Sequence, residues 1–398
     1  MGFFQGASKI MQTVKLPLNF LESVTGFTVH SGVVFKEGLY ISLGAWHESA
    51  NDGNATGYIA RYNREDKNWD ILHKKDFNHA PSDSPRNMGF IDLKVHSGLK
   101  GKELGIIAME VSPDGSRYLY GINGQNFTPL EKNKDIQAGP FQSYGGGVVA
   151  SLMEESGEPD TIYYFTDLSK GKKKSIHDSA FHLSGNAGVV NMTVFRRNVY
   201  ISVKNFVNGF QIWKATKRKD AFKWHKILDQ GAFQFSLNPS APAMVEFKDT
   251  LYLGTAQSFQ GDRGDWDNEG AEIIRILPDN TWELVLGTPR FSPLGLQIPI
   301  SSMGRGFNVP GNTELTDLIE HKGKLFAFIG NRAGDGGRKN FQVWGTENGE
   351  QWLLCADNGS RESGNDISGI ISMPFGILLK GRFSVTRDEI PMLRIFIT

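Results

Sequence analysis

Asn238-Pro239-Ser240-Ala241-Pro242-Ala243-Met244-Val245-Glu246-Phe247, then Lys248-Asp249-Thr250, then Leu251-Tyr252-Leu253-Gly254-Thr255 is the stretch that decides the fold. It holds an asparagine, a short apolar run ending on an aromatic, a polar turn, and a second run resuming on tyrosine. Asn238 stands nine positions before Phe247, and Tyr252 follows five positions after. The first spacing recurs from Asn87 to His96, Asn186 to Phe195, Asn312 to His321 and Asn365 to Pro374. The second recurs from Phe35 to Tyr40, Phe195 to Tyr200 and His321 to Phe326. Gly26 and Tyr144 fill the asparagine slot in two weaker copies, which makes seven units.

Downstream of Thr255 a long polar loop leads to Glu272-Ile273-Ile274-Arg275-Ile276. Pro278-Asp279-Asn280 turns the chain, and Trp282-Glu283-Leu284-Val285 closes the unit. Apolar runs of this length between turn residues predict a four-stranded antiparallel meander. Seven such units at regular spacing predict an all-β, seven-bladed β-propeller with blades starting near 26, 87, 144, 186, 238, 312 and 365. In the third copy Val148–Met153 and Thr161–Phe165 are read as two of its strands. The last copy supplies only three strands, and residues 10–16 precede the first copy without a partner. We therefore expect this N-terminal strand to complete the last blade, making residues 1–398 a single propeller domain without free sheet edges.

Forty-six glycines suit an all-β chain with many tight turns. Lys plus Arg equals Asp plus Glu at 43 each, which gives no support for bulk nucleic-acid binding. No apolar run is long enough to span a bilayer, and residues 1–6 lack a signal core, so the expected location is cytoplasmic. The lone cysteine, Cys355, excludes an internal disulfide and reads as a packed thiol.

With the strands of each blade ordered from centre to rim, the recurring asparagines and the long loops after the second strands share one face. Long polar loops on a rigid scaffold are where function concentrates, and a central funnel on that face is the expected pocket. Asn87, Asn186, Asn238, Asn312 and Asn365 either satisfy backbone groups in turns or point amides at a ligand. Trp46, Arg86, Arg332 and Arg338 are further candidates for substrate binding, the arginines as anchors for an anionic group. His47 with Glu48, Glu314 and Asp317 are candidate acids or bases. Tyr144 joins them as the odd member of the ring of asparagines. His96 and His321 take the aromatic position that ends a first strand, and read as packed. The loop carrying Asp262, Asp265, Asp267 and Glu269 offers enough oxygens for calcium, although its spacing is not that of an EF-hand. No other cofactor is expected, and no phosphate loop, nucleophile elbow or zinc spacing is present.

Leu251-Tyr252-Leu253-Gly254-Thr255, Gly270-Ala271-Glu272-Ile273-Ile274-Arg275 and Asn208-Gly209-Phe210-Gln211-Ile212-Trp213-Lys214 resemble the blade signature of a bacterial propeller family. That family looks like the propeller half of the cylindrocyclophane-forming alkylating enzyme. The resemblance implies a small organic substrate and alkylating chemistry at a junction with an added calcium-binding domain. No segment here matches that domain, and no catalytic residue carries over. The hairpins Glu347-Asn348-Gly349-Glu350-Gln351-Trp352 and Pro278-Asp279-Asn280-Thr281-Trp282 are similar to degenerate Asp-box turns of sialidases. The opening Arg-Ile-Pro strand of sialidases is missing. Three functions follow as expectations. The first is an enzyme of specialised metabolism that promotes bond formation or cyclisation of a small-molecule substrate by positioning and acid/base help. The second is a carbohydrate- or ligand-binding propeller, and the third a platform for a protein partner. An enclosed funnel with ionisable groups would mark the first, aromatic plates between blades the second, and an exposed apolar patch the third.

Overall fold

The computed structural model describes residues 12–21, 24–36, 38–46, 55–63, 65–77, 89–96, 105–112, 117–123, 126–129, 136–154, 161–167, 172–178, 181, 185–219, 221–257, 270–309, 311–331, 340–357, 366–373, 376–385 and 391–397. Strand β1 (Gln12–Pro17) opens the described chain. The first unit is β2 (Gly26–Phe35), β3 (Gly38–Trp46), β4 (Ala55–Asn63) and β5 (Asn68–Phe77). The second is β6 (Gly89–His96), β7 (Gly105–Val111), β8 (Arg117–Asn123) and β9 (Asn126–Pro129). The third is β10 (Ile136–Tyr144), β11 (Gly147–Glu154), β12 (Thr161–Asp167) and β13 (Lys172–Ser175). The fourth is β14 (Asn186–Phe195), β15 (Asn198–Asn205), β16 (Gln211–Arg218) and β17 (Ala221–Leu228). The fifth is β18 (Ser240–Phe247), β19 (Thr250–Ala256), β20 (Ile273–Ile276) and β21 (Trp282–Leu286). A separate hairpin, β22 (Arg290–Ser292) with β23 (Gly295–Gln297), intervenes. The sixth unit is β24 (Asn312–His321), β25 (Lys324–Asn331), β26 (Asn340–Thr346) and β27 (Leu353–Asp357). The last three strands are β28 (Asp366–Met373), β29 (Gly376–Ser384) and β30 (Met392–Ile397).

Within each unit consecutive strands pair antiparallel, and β1 pairs with β30 from Gln12↔Ile397 to Pro17↔Met392. The last three strands thus share a sheet with β1, and β29 also pairs with β2 of the first unit from Gly26↔Ser384 to Val29↔Gly381. Trp69 Nε1 donates to the Pro17 carbonyl at 3.0 Å, tying β1 to the outer strand of the first unit. Each first strand touches the first strand of the next unit, and β28 touches β2. Apolar side chains alternate inward along these strands, and the cores lie between adjacent sheets.

All seven first strands carry an extra residue against their partner, at Val29/Ser31, Phe90/Asp92, Ala138/Phe141, Val189/Asn191, Ser240/Ala243, Leu315/Asp317 and Ile367/Gly369. Such bulges bend a strand and re-aim its side chains. Here they turn polar groups onto the next unit. Leu93 N–H donates to Ser31 Oγ at 3.1 Å, Thr316 Oγ1 to Ser368 O at 3.0 Å, Ile370 N–H to Asp317 Oδ2 at 3.2 Å, and Asn191 Nδ2 to Pro242 O. Neighbouring first strands are therefore cross-linked by side chains rather than by strand pairing alone.

The third unit departs from its sequence reading. Val148–Met153 and Thr161–Phe165 are strands as read, the second and third of the unit, and the strand before them carries the departure. The preceding strand, β10, contains Gly139 and Pro140 and lacks a clean apolar alternation, so it was not legible. Gly145 and Gly146, at φ 54° and 79°, form the two-residue turn after β10. Tyr144 consequently ends a first strand instead of preceding one.

Candidate functional site

Three of the recurring asparagines act on the chain itself. Asn238 and Asn312 are fully buried. Asn238 Nδ2 donates to Gly231 O at 3.1 Å and to Glu272 Oε2 at 2.6 Å. Asn312 Nδ2 donates to Gly306 O at 2.9 Å and Gln342 Oε1 at 2.8 Å. Asn186 Nδ2 donates to Phe181 O at 2.6 Å, and its Oδ1 accepts from Asn205 Nδ2 at 2.8 Å. In two of these connections the clamped backbone is left-handed. Gln230, Gly231, Ala232 and Phe233 have φ of 54° to 64°, and Gly306, Phe307 and Asn308 have φ of 58° to 62°. Such runs disfavour L-residues by about 1–2 kcal/mol each, so the amide clamp and the ring that follows must hold them. Phe307 stacks on Trp344 at 4.5 Å, and Phe233 faces Trp282 at 6.2 Å. Gly26 fills the asparagine slot of the first unit because Trp46 lies across it. A Cβ there would sit 2.3 Å from the indole ring.

Between the fifth and sixth units the clamp contains ions. Glu272 is fully buried. Its Oε1 accepts from Arg290 Nη1 at 2.8 Å and from Thr288 N–H at 2.9 Å, and lies 3.3 Å from Arg305 Nη2. Arg290 also donates to Thr288 O at 3.0 Å and lies over the Trp282 ring. Burial pulls the Arg305 guanidinium below its usual range; Glu272 opposes that shift and Arg290 adds to it. Gln211 and Gln342 occupy the corresponding position in the fourth and sixth units, where each accepts from the tryptophan two residues on. The repeat thus contained the signal for Glu272: a charged residue where its equivalents are glutamines. Sequence reasoning passed over it.

A second buried carboxylate sits between the first and second units. Glu110 Oε1 accepts from Lys75 Nζ at 2.5 Å and Ser112 Oγ at 3.0 Å. Tyr120 and His73 adjoin it. Burial, then Glu110, hold the Tyr120 phenol well above its usual range. Burial lowers His73, against the pull of Glu110. No pattern in the sequence connects Lys75 to Glu110, which meet only across two units.

The surface beside the Glu272 cluster is apolar. Phe235, Leu237, Phe291, Leu294, Leu296 and Ile298 are each more than half exposed. The 230–233 turn touches both the 235–237 turn and β22, which brings these side chains to one region. Residues 288–300 carry a single charge, Arg290, and it is buried. Among the described residues β22 and β23 pair only with each other.

The remaining candidates are distributed as follows. Asp317 lies in β24 and is held by Lys380 Nζ at 2.8 Å and by Ile370 N–H. A Cβ on Gly369 would sit 1.8 Å from Asp317 Oδ2, so that approach requires glycine. Asp317 is thus the ionic counterpart of the other bulge links. Glu314 lies in β24, partly buried, opposite Gly330. Tyr144 donates to Arg197 O at 2.9 Å at the far end of its strand, away from the end that Asn238 and Asn312 occupy in theirs. Its expected place beside the asparagines is therefore corrected by the register of β10. His96 and His321 bond Ser143 and Ser372 of the next unit, both at 3.0 Å, and burial lowers both imidazoles. Burial also pushes the half-buried Cys355 thiol up. His47, Arg86, Asn87, Arg332, Arg338, Asn365 and the loop with Asp262, Asp265, Asp267 and Glu269 lie outside the described residues. Among the described residues no group of three or more His, Cys, Asp or Glu could hold a metal, and no helix is long and apolar enough to cross a membrane.

No protein-family model matches this chain, and no curated protein matches it. Solved structures are similar at low identity. A putative 6-phosphogluconolactonase from Bacteroides uniformis shares 12% identity over 83% of this chain and 84% of that one, with TM-score 0.45. The sialidase of Trypanosoma rangeli shares 10% over 92% and 71%, with TM-score 0.43. A hypothetical selenium-binding protein from Sulfolobus tokodaii shares 12% over 79% and 74%, with TM-score 0.45. Likenesses this distant carry no argument about activity, and none supports alkylating chemistry.

Proposed function

We propose that the seven units close as a seven-bladed propeller that docks an extended apolar segment of a protein partner on the β22–β23 hairpin. One observation carries this reading: a hairpin without a sheet neighbour among the described residues, whose outward side chains are large, apolar and exposed. Proteins usually blunt such edges with charge or cover them. A partner strand would pair with the free edge and place alternate side chains among Phe291, Leu294 and Leu296. The test is fluorescence anisotropy against a library of extended apolar peptides, with Leu296→Asp and Phe291→Asp as variants. Peptides that bind wild type and lose at least ~10-fold affinity in both variants, a loss of ~1.4 kcal/mol, support the reading. A library without such peptides overturns it. So does a wild-type dimer in sedimentation that Leu296→Asp converts to monomer, which would make the surface a contact between copies.

A second reading, a cofactor-independent enzyme acting on a small organic molecule, has its own observation. Glu110 gathers an ammonium, a hydroxyl, a phenol and an imidazole near one buried carboxylate, a set suited to acid/base chemistry. A small molecule that co-purifies with wild type and is lost from Glu110→Gln would favour it over docking.

A further inference from the structure

The Glu272 cluster is unbalanced. Two guanidiniums share one carboxylate, and all three side chains are nearly sealed from solvent. Arg290 Nε and Nη2 and Arg305 Nη2 are buried without a hydrogen-bond acceptor. The remaining capacity of Glu272 is already engaged, since Oε1 serves Arg290 and Thr288 and Oε2 serves Asn238. A buried cation without a counter-charge is among the least favourable arrangements a fold can hold. Orphaned guanidinium donors in a sealed site suit one chemistry, a compact anion accepting several N–H bonds at once.

We infer that the unpartnered donors of Arg290 and Arg305 beside Glu272 bind a compact monoanion, a halide or a small carboxylate, beneath the β22–β23 hairpin. The anion neutralises the excess charge and fixes Arg290, the residue that opens β22. Phe291 next to it is exposed, so the anion seats the inner face of a hairpin whose outer face is apolar. This site stands apart from the docking reading, because its test needs no partner. The competing occupant is water, which would also serve the buried, unpartnered Asn238 Oδ1.

The experiment measures the thermal midpoint against chloride, formate and inorganic phosphate at constant ionic strength, balanced with a bulky sulfonate salt. A saturable rise with chloride or formate, weaker with phosphate, is expected in wild type, and the ranking of the two identifies the source. Charge then gives variants opposite signs. Arg290→Met leaves a neutral Glu272–Arg305 pair and abolishes the rise. Glu272→Gln leaves two cations, so it strengthens apparent anion affinity at least ~10-fold, about 1.4 kcal/mol. Arg305→Met substitutes for Arg290→Met should the latter fail to fold. A wild-type midpoint indifferent to the anion, or Glu272→Gln and Arg305→Met changing the response in the same direction, overturns the inference.

Discussion

Glu110 and Glu272 are both buried carboxylates, each lying between two sheets, yet their partners differ in kind. Glu110 is 1% exposed but its ammonium partner, Lys75, is 39% exposed. Glu272 is wholly buried, and the Arg290 side chain paired with it is 6% exposed. The first carboxylate has a flexible cation that can swing to water. The second is locked to planar, sealed guanidiniums and an asparagine that also clamps a left-handed turn. The same ionic chemistry therefore gives an adaptable site in one cleft and a rigid anchor in the other.

The largest expected effect tests that contrast directly. Glu272→Ala strands two buried guanidiniums and should cost about 4 kcal/mol in urea denaturation, whereas Glu110→Ala should cost about half as much because Lys75 regains solvent. Equal losses would erase the distinction. Acid gives a smaller, localised effect. Burial lowers His73 below its ordinary 6.5, so the unfolded state binds more protons as pH falls through that value. The sign follows: stability is greatest above about 6.5 and declines below it. His96 and His321 act in the same direction. His73→Phe should flatten part of the decline between pH 7.5 and 5, while Arg305→Met leaves it unchanged; urea midpoints at the two values decide. The smallest effect belongs to the surface over Glu272. Phe291→Ser should alter stability by less than about 0.5 kcal/mol while reducing dye binding to exposed apolar surface, because Phe291 is 79% exposed.

How much of this was legible follows from where the repeat speaks. The spacing from Asn238 to Phe247 to Tyr252 is enforced by one clamp and one hairpin, so it survives in sequence and marks the strands. The bulges leave no comparable trace, since an extra residue at Asp92 or Asp317 changes pairing without changing the apolar pattern. Asp317 consequently looked like a candidate base when it is a link between neighbouring first strands. Tyr144 was misplaced because the repeat spacing set it in the asparagine slot, when it ends β10 just before the Gly145-Gly146 turn. Glu272 was the readable signal that went unread: it departs from Gln211 and Gln342 at one position. Lys75 and Glu110 were beyond sequence reasoning, since only the apposition of two units makes them a pair.

The pairing of β1 with β30 has a consequence for synthesis. Pro17 meets Met392, 375 positions later. At a typical ribosomal pace of ~5–20 residues per second, the opening strand waits roughly 20–80 s for its mate. Throughout that interval its hydrogen-bonding edge is available to any other nascent strand. Pairing of these two strands is thus a late event, and a transplanted chain break within a surface turn elsewhere would let both emerge together.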